Sequence, residues 1–300
     1  MTGAEGLYST LVANCIFNVF LFYTAIALNI ITIQELRKTS SLPRTLKTLL
    51  LSLAVSDLAV GLLAHPVFAA HLIIQIQQNT SDNAYGTVFT IFLVFQNDLL
   101  ACASFFSVVA ITVDRFLAIH LHLRYQELVT HKRLIAVVIS TWVITAYLSL
   151  LVPAARLDWI PKRVPVIMFS GIGAVCFITT GLLHCNIYAS VQHHTAHIQA
   201  LQVQEEAQNR EMKNAVRLRK TALATFYIYF LFLACYVPIV CVNLAELLCD
   251  ETALIRHLWY YVRTIMLFNS SLNPLIYSWR MRHIRHAVID ILRSVLPCRH

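Results

Sequence analysis

The sequence predicts an all-α membrane protein: one bundle of seven spanning helices in a single domain over residues 1–300, with a short amphipathic eighth helix on the inner membrane surface. Three observations carry that expectation. Of the 300 residues 58% are hydrophobic and 13% charged, with a mean hydropathy of +0.66; a soluble domain carries roughly twice that charged fraction. Seven apolar runs, at about 11–33, 46–74, 88–117, 134–152, 164–191, 222–248 and 258–279, have the length of about 20 residues that a bilayer core of about 30 Å demands. The basic residues also alternate from end to end. All but five of the 23 lysines and arginines fall in four segments on one side: Arg37 to Lys47, Arg115 to Arg133, Arg210 to Lys220, and Arg280 to Arg299. The other side has Arg156, Lys162, Arg163, Arg256 and Arg263. That asymmetry puts the four segments in the cytosol and the N-terminus outside.

Each span brings its own marks. No basic residue precedes the first apolar run, so it is expected to act as its own insertion signal rather than as a cleaved leader. It carries Asn29, and the second span carries Leu53-Ala54-Val55-Ser56-Asp57. Asn79-Thr80-Ser81, in the short outer segment that follows, is a glycosylation sequon at Asn79. The third span has Asn97, Asp98 and Ser104 and ends in Asp114-Arg115-Phe116. A charged pair there is costly to insert and points to function. Trp142 lies in the fourth span and Tyr188 near the inner end of the fifth. The stretch between those spans, 154–163, is very short.

The inner segment 192–220 lacks Gly and Pro and reads as helical extensions of the fifth and sixth spans. Its His193, His194 and His197 lack carboxylate or cysteine company. The sixth span reads Phe232-Leu233-Ala234-Cys235-Tyr236-Val237-Pro238 and continues to Asn243 and Glu246. Cys241 and Cys249 near its outer end leave two alternatives open, a bridge or two free thiols. The seventh carries Tyr260, Arg263, Asn269 and Ser270 and closes on Asn273-Pro274-Leu275-Ile276-Tyr277, where Pro274 breaks the ladder. Residues 280–293 alternate apolar and basic groups at helical spacing, as in a helix lying on lipid, and Cys298 after it is a palmitoylation candidate.

Taken in order on these spans, the motifs resemble those of the rhodopsin-like (class A) G-protein-coupled receptors, over nearly the whole chain. The departures are specific. The outer end of the third span reads Thr87-Val88-Phe89-Thr90, without the cysteine those receptors usually carry, and 154–163 has no cysteine to pair with one. Thr179-Thr180 stands where the fifth span usually has proline. Such features resemble the melanocortin, cannabinoid, lysophospholipid and adenosine receptor group. Asn243, five residues after Pro238, matches an adenosine-receptor ligand contact, and Leu123-Arg124-Tyr125 resembles their second inner loop. However, Leu267 stands where those receptors have a histidine.

The resemblance implies no enzyme. It implies a plasma-membrane receptor for a small extracellular ligand (adenosine-like, lipid or short peptide) that activates a heterotrimeric G protein within membrane lipid. Asp114, Arg115, Tyr188, Phe232, Tyr236, Pro238, Asn273, Pro274 and Tyr277 would form the activation switch. Asn97, Asp98, Asn243, Glu246, Tyr260 and Arg263 are the ligand-binding candidates, with His65, Phe68 and His71 as further lining from the second span. Asn97 stands where amine receptors carry aspartate, which disfavours an amine; Asp98, one residue on, is expected to point elsewhere. No lysine follows Lys220, which excludes a retinal Schiff base.

Asp57 with Ser104, Asn269, Ser270 and Asn273 gathers oxygen ligands at mid-membrane depth, suited to an allosteric sodium ion or to a polar network without one. No other cofactor and no nucleic acid is expected, since the formal charge of +8 is divided among short segments. The alternative class is a seven-span transporter, channel or membrane enzyme; the lack of an internal repeat weighs against a transporter. The sixth-span inner end, Arg217-Leu218-Arg219-Lys220, lacks the carboxylate that many such receptors pair with the third-span arginine.

Overall fold

Backbone hydrogen bonds cannot be left open in hydrocarbon, so a chain this apolar must close them within helices. The structure, a computed structural model, describes residues 3–39, 42–77, 84–121, 124–200, 205–249 and 252–280. Of residues 3, 4, 84–86, 194–200, 205–222, 224, 253 and 277–280 only the backbone is described. The expected surface helix beyond Arg280, Cys298 and Asn79 therefore lie outside the described residues.

The helices are α1 (Gly3–Lys38), α2 (Arg44–Ala59), a π-helical turn (Val60–Ala64), α3 (His65–Ile76), α4 (Ala84–His120), α5 (Tyr125–Leu128), α6 (His131–Ser149), α7 (Leu151–Arg156), α8 (Arg163–Ala200), α9 (Glu205–Leu248) and α10 (Ala253–Arg280). Among the described residues six spans are long and apolar enough to cross a membrane: Glu5–Lys38, Arg44–Ile76, Thr87–His120, His131–Arg156, Arg163–His193 and Thr225–Leu248. The seventh, α10, has 28 residues, about 42 Å at 1.5 Å per residue. It is less apolar because Arg263, Thr264, Asn269, Ser270, Ser271 and Asn273 are buried along it. The inner segment is helical as expected, with α8 continuing to Ala200 and α9 starting at Glu205.

The second span is broken where the sequence reading made it continuous. Pro66 has no N–H for the carbonyl four residues back, and the His65 amide bonds instead to Val60 O, five residues away. A proline that removes a ladder bond and a local π turn are a recognised pair of causes for such a widening. The fourth span is likewise bent at Leu150 into α7. Asp158, at φ 56°, then takes the left-handed conformation that ends a helix.

In the bundle α1 packs on α2, α3 and α10; α10 on α9; α9 on α8. The third span, α4, meets α2, α6, α8, α9 and α10 and is the axis of the assembly. Large apolar side chains on the outer faces of α6 and α8, such as Ile139, Val143, Tyr147, Val175 and Leu182, are exposed and face the lipid position. Among the described residues the interior divides into two large apolar cores and a small cluster of Ile119, Ile187 and Val191. One large core holds Val60, Ala64, Phe68, Leu93, Leu100, Val242, Met266 and Leu267. The other, nearer the basic end, holds Leu46, Leu49, Leu53, Phe105, Val108, Ile111 and Phe232. On α2, α4 and α10 the step from one core to the other contains Asp57, Ser104 and Asn269 to Asn273, respectively.

Close approach of spans is where glycine matters. A Cβ on Gly61 would lie 3.0 Å from Ile26 Cγ1 and 3.2 Å from the Ile26 backbone nitrogen, so the π turn rests on the α1 backbone. Gly61→Leu must push the two spans apart, and overpacking of this kind costs about 1–3 kcal/mol. A thermal melt of purified protein is expected to show a clear fall in midpoint for Gly61→Leu. An unchanged midpoint would contradict the packing described.

Candidate functional site

Three polar constellations interrupt the apolar bundle: one in its middle, one at the basic end, and one in a cavity at the opposite end.

The middle one is built around Asp57, which is fully buried. Ser104 Oγ donates to its Oδ1 at 3.1 Å and Asn273 Nδ2 to its Oδ2 at 2.8 Å. Ser56 and Ser104 hydroxyls pair at 3.1 Å. Proline again dictates a partner. Pro274 cannot donate to the carbonyl of Ser270, four residues back, and Asn29 Nδ2 fills the vacancy at 2.9 Å. One amide thus ties α1 to the break in α10. Asn29 Oδ1, Asn273 Oδ1 and both polar atoms of Asn269 are buried with no hydrogen-bond partner within the protein.

At the basic end, Asp114 and Arg115 are both almost fully buried. Arg115 Nε donates to Asp114 Oδ2 at 3.0 Å, and its Nη2 reaches the same oxygen. The other oxygen, Oδ1, accepts from the Tyr125 hydroxyl at 2.6 Å, and that hydroxyl accepts in turn from Thr45 Oγ1 at 2.8 Å. A short helix between spans, α5, is therefore pinned to α4 and α2. Burial and the adjacent Asp114 carboxylate push the Tyr125 phenol up to about 12, so it remains a donor throughout the neutral range. Tyr188, expected with this switch, is about half exposed and accepts from Gln192 Nε2 at 2.7 Å. It does not join Arg115. Tyr277 and the Arg217-Leu218-Arg219-Lys220 segment have no described side chains.

The cavity measures about 1130 Å³. Its walls come from α3, α4, α7, α8, α9 and α10, with Phe105, Phe106, Phe177 and Tyr236 at the deep end. Tyr236 donates to Ala101 O at 2.9 Å and stacks on Phe232 at 5.2 Å with planes 7° apart. The two rings expected to couple cavity and sixth helix are thus in contact, and they also fasten α9 to α4. On α8, where proline was absent, the Tyr229 hydroxyl donates to Phe177 O at 3.0 Å. Gly181 gives that hydroxyl room, since a Cβ there would sit 2.7 Å from it.

Of the ligand candidates, Asp98, Asn243, Glu246 and Arg263 line the cavity, as does His71. Asp98 corrects the sequence reading: it points into the cavity and binds Arg263 Nη1 at 3.0 Å. Helical spacing explains this, because Val94, Asp98, Ala101, Cys102 and Phe105 all lie on the cavity face. Asn97, one step round, turns away; it is wholly buried and outside the cavity lining. Tyr260 is also outside the lining, and its ring contacts two residues that do line it, His71 and Trp259. Phe68 and His65 belong to the interior, His65 Nδ1 lying 2.9 Å from Asn18 Oδ1.

The sequence reading missed Arg156 and Lys162, which line the cavity from the segment joining α6 to α8, and Trp259, over which the Arg263 guanidinium sits at 5.0 Å. The two cations had been counted only as topology marks. Cys241 and Cys249 are both free and exposed. They are eight residues apart at the end of one helix, about 12 Å along its axis, beyond the reach of a bridge.

The sequence profile of the 7 transmembrane receptor (rhodopsin family) matches residues 28–277. The chain belongs to that family. It is a multi-pass membrane receptor, and the transporter, channel and membrane-enzyme alternatives fall away with that membership. Similar proteins include the adenosine receptor A2b of Bos taurus, 25% identical over 90% of this chain and 86% of that receptor. The adenosine receptor A2a of Homo sapiens is 27% identical over 90% of this chain and 69% of its own length. The adenosine receptor A3 of Ovis aries is 24% identical over 91% and 87%.

The Asn29 amide is the sharpest test of this geometry. Asn29→Ala leaves a buried carbonyl without its donor, a loss of about 1–3 kcal/mol. The melting midpoint of the purified receptor is expected to fall accordingly. No change on Asn29→Ala would mean that the carbonyl above Pro274 is satisfied by another group.

Proposed function

We propose that this receptor lies in the plasma membrane with its N-terminus outside. A small extracellular ligand enters the cavity, and the receptor activates a heterotrimeric G protein at the basic end. The observation that carries the reading is the succession of polar and aromatic groups between the two ends. Cavity, Tyr236 and Phe232, the Asp57 cluster and the buried Asp114–Arg115–Tyr125 group lie in sequence along α4.

The mechanism follows from these contacts. A ligand against Tyr236 disturbs its bond to Ala101 O and its stack on Phe232. Pro238, inside α9 two residues on, is where the helix can change direction. Swinging the inner half of α9 uncovers Arg115, provided Asp114 and Tyr125 release it. The ligand drives this only by binding the open arrangement more tightly than the closed one. Purified receptor in lipid nanodiscs should accelerate nucleotide exchange on at least one purified heterotrimeric G protein. Failure with representatives of every major α-subunit class would overturn the reading.

The Asp57 cluster fits a sodium ion. A carboxylate, the Ser104 and Ser270 hydroxyls, and unpartnered carboxamide oxygens of Asn29, Asn269 and Asn273 suit a hard monovalent cation. When bound, the ion would supply positive charge that holds Asp57 ionised and the surrounding helices together. Sodium is then expected to weaken agonist binding, since it favours the closed state. Asp57→Asn should remove that dependence. Radioligand competition equally sensitive to sodium in wild type and Asp57→Asn would exclude the site.

Resting activity follows from the sixth-span inner end, which offers Arg115 no carboxylate in its sequence. Arg115 keeps its bond to Asp114, so the absent second partner is worth about 1 kcal/mol, and an equilibrium shifts about tenfold per 1.4 kcal/mol. Measurable ligand-free signalling is expected at matched surface expression, lowered by Leu218→Glu and abolished by Arg115→Ala. Signalling no higher than in cells lacking the receptor would show that another contact locks the bundle.

A further inference from the structure

The cavity is larger and more one-sided in charge than a small neutral ligand requires. Sites for drug-sized molecules span about 300–1000 Å³, and this one, at about 1130 Å³, exceeds that range. It is also deep. The lining runs along α4 from Thr87 to Phe106, about 28 Å of helix at 1.5 Å per residue. Polar and apolar groups are sorted along that depth, with charged side chains toward the mouth and Phe105, Phe177, Ile239 and Met266 toward the floor.

The charges at the mouth do not balance. Arg156, Lys162 and Arg263 face the cavity against Asp98 and Glu246. Asp98 is committed to Arg263 at 3.0 Å, which leaves Arg156 and Lys162 against Glu246 alone. Arg156 and Lys162 are exposed, whereas Arg263 is only 6% exposed. Arg263 nevertheless keeps a buried Nε–H with no acceptor in the protein. One carboxylate therefore leaves this desolvated guanidinium under-satisfied, and the positive excess at the mouth suits an anionic oxygen. Arg156 lies within the electrostatic reach of Arg263, so the two cations act on the same region.

The middle of the cavity adds an independent mark. Gly173 on α8 lines it, and a Cβ built there would meet nothing within 4 Å. Glycine costs a helix interior about 1 kcal/mol relative to alanine. The cavity is open beside it, so the way from the charged mouth to the aromatic floor is wide at this depth.

We propose that the ligand is an anionic amphiphile, with one carboxylate or phosphate held by Arg156 and Lys162 at the mouth, beside the Asp98-paired Arg263. Its apolar chain passes Gly173 to end among Phe105 and Phe177. The proposal rests on the reading of this cavity as the ligand site and narrows the chemistry of that ligand.

Binding is read as thermal stabilisation of purified receptor in phosphatidylcholine nanodiscs, a measurement independent of G-protein coupling. The probes are oleate, an oleoyl lysophosphatidate, the uncharged monooleoylglycerol, adenosine and AMP. Oleate or the lysophosphatidate should stabilise the wild type in a saturable way, which also tells carboxylate from phosphate. The uncharged lipid should bind at least tenfold more weakly. The double variant Arg156→Gln/Lys162→Gln, both at exposed positions, should weaken the anion at least tenfold and erase its advantage over the uncharged lipid. Gly173→Leu should weaken the long chain at least tenfold. Arg256→Gln, a cation of the same end outside the cavity lining, controls for general surface charge and should leave affinity within twofold.

Equal binding of charged and uncharged lipid overturns the proposal. So does an anion affinity that survives both the double variant and Gly173→Leu, or stabilisation by adenosine or AMP in place of the amphiphiles. Nucleotide exchange without ligand alongside any of these results would leave the receptor reading intact and remove only the amphiphile.

Discussion

Everything in this bundle turns on one carboxylate placed where water cannot reach it. Asp57 has zero exposure and sits between two apolar cores. Burying such a group is tolerable only when its oxygens are hydrogen-bonded. The donors come from α4 through Ser104 and from α10 through Asn273. The fold must therefore bring the second, third and seventh spans to one point at one depth. Asn29 adds the first span by completing the carbonyl that Pro274 exposes. In lipid, where apolar side chains gain little by meeting one another, such polar joints and close glycine contacts fix the register between helices.

A joint of this kind is also a place of low rigidity. Proline interrupts α10 within the cluster and α9 two residues beyond Tyr236, and a π turn interrupts the second span just past Asp57. Each break falls between the two cores or beside them, so the halves of the bundle are separately packed and joined by hydrogen bonds. Packed cores move as bodies rather than deforming. In the proposed mechanism, change in the cavity reaches the basic end by re-aiming helices at these breaks. Tyr236 and the Asp114–Tyr125 bond are the contacts that must be exchanged.

The helical bundle and the polar residues of Asp57's neighbourhood were legible because hydropathy and motif order act along the chain, whereas the helices run several residues past the apolar stretches, as at Glu5–Lys38. The seventh span was legible from its motif more than from its hydropathy, since the residues that make it functional also make it polar. What escaped was rotation and bending. Asp98 and Asn97 differ by one step of about 100°; both were candidates, and it is Asp98, expected to point elsewhere, that lines the cavity while Asn97 does not. The phase of α4 could have been read from Val94, Ala101 and Phe105, which mark the cavity face at helical spacing. Arg156 and Lys162 escaped because the bend at Leu150 and the left-handed Asp158 set their direction. Tyr188 failed to join Arg115 because its contacts lie along its own helix, with Gln192.

The pairing of Asp57 with Asn273 is the claim on which the account stands, and a reciprocal exchange tests it most directly. Asp57→Asn, Asn273→Asp and the double exchange form a thermodynamic cycle in melting midpoint and ligand-free signalling, measured in the same nanodiscs. The account predicts that each single change lowers stability and alters signalling, while the double exchange, which keeps one carboxylate facing one carboxamide, recovers most of both. A double variant that shows only the sum of the two single effects would contradict it, because the two side chains would then act independently.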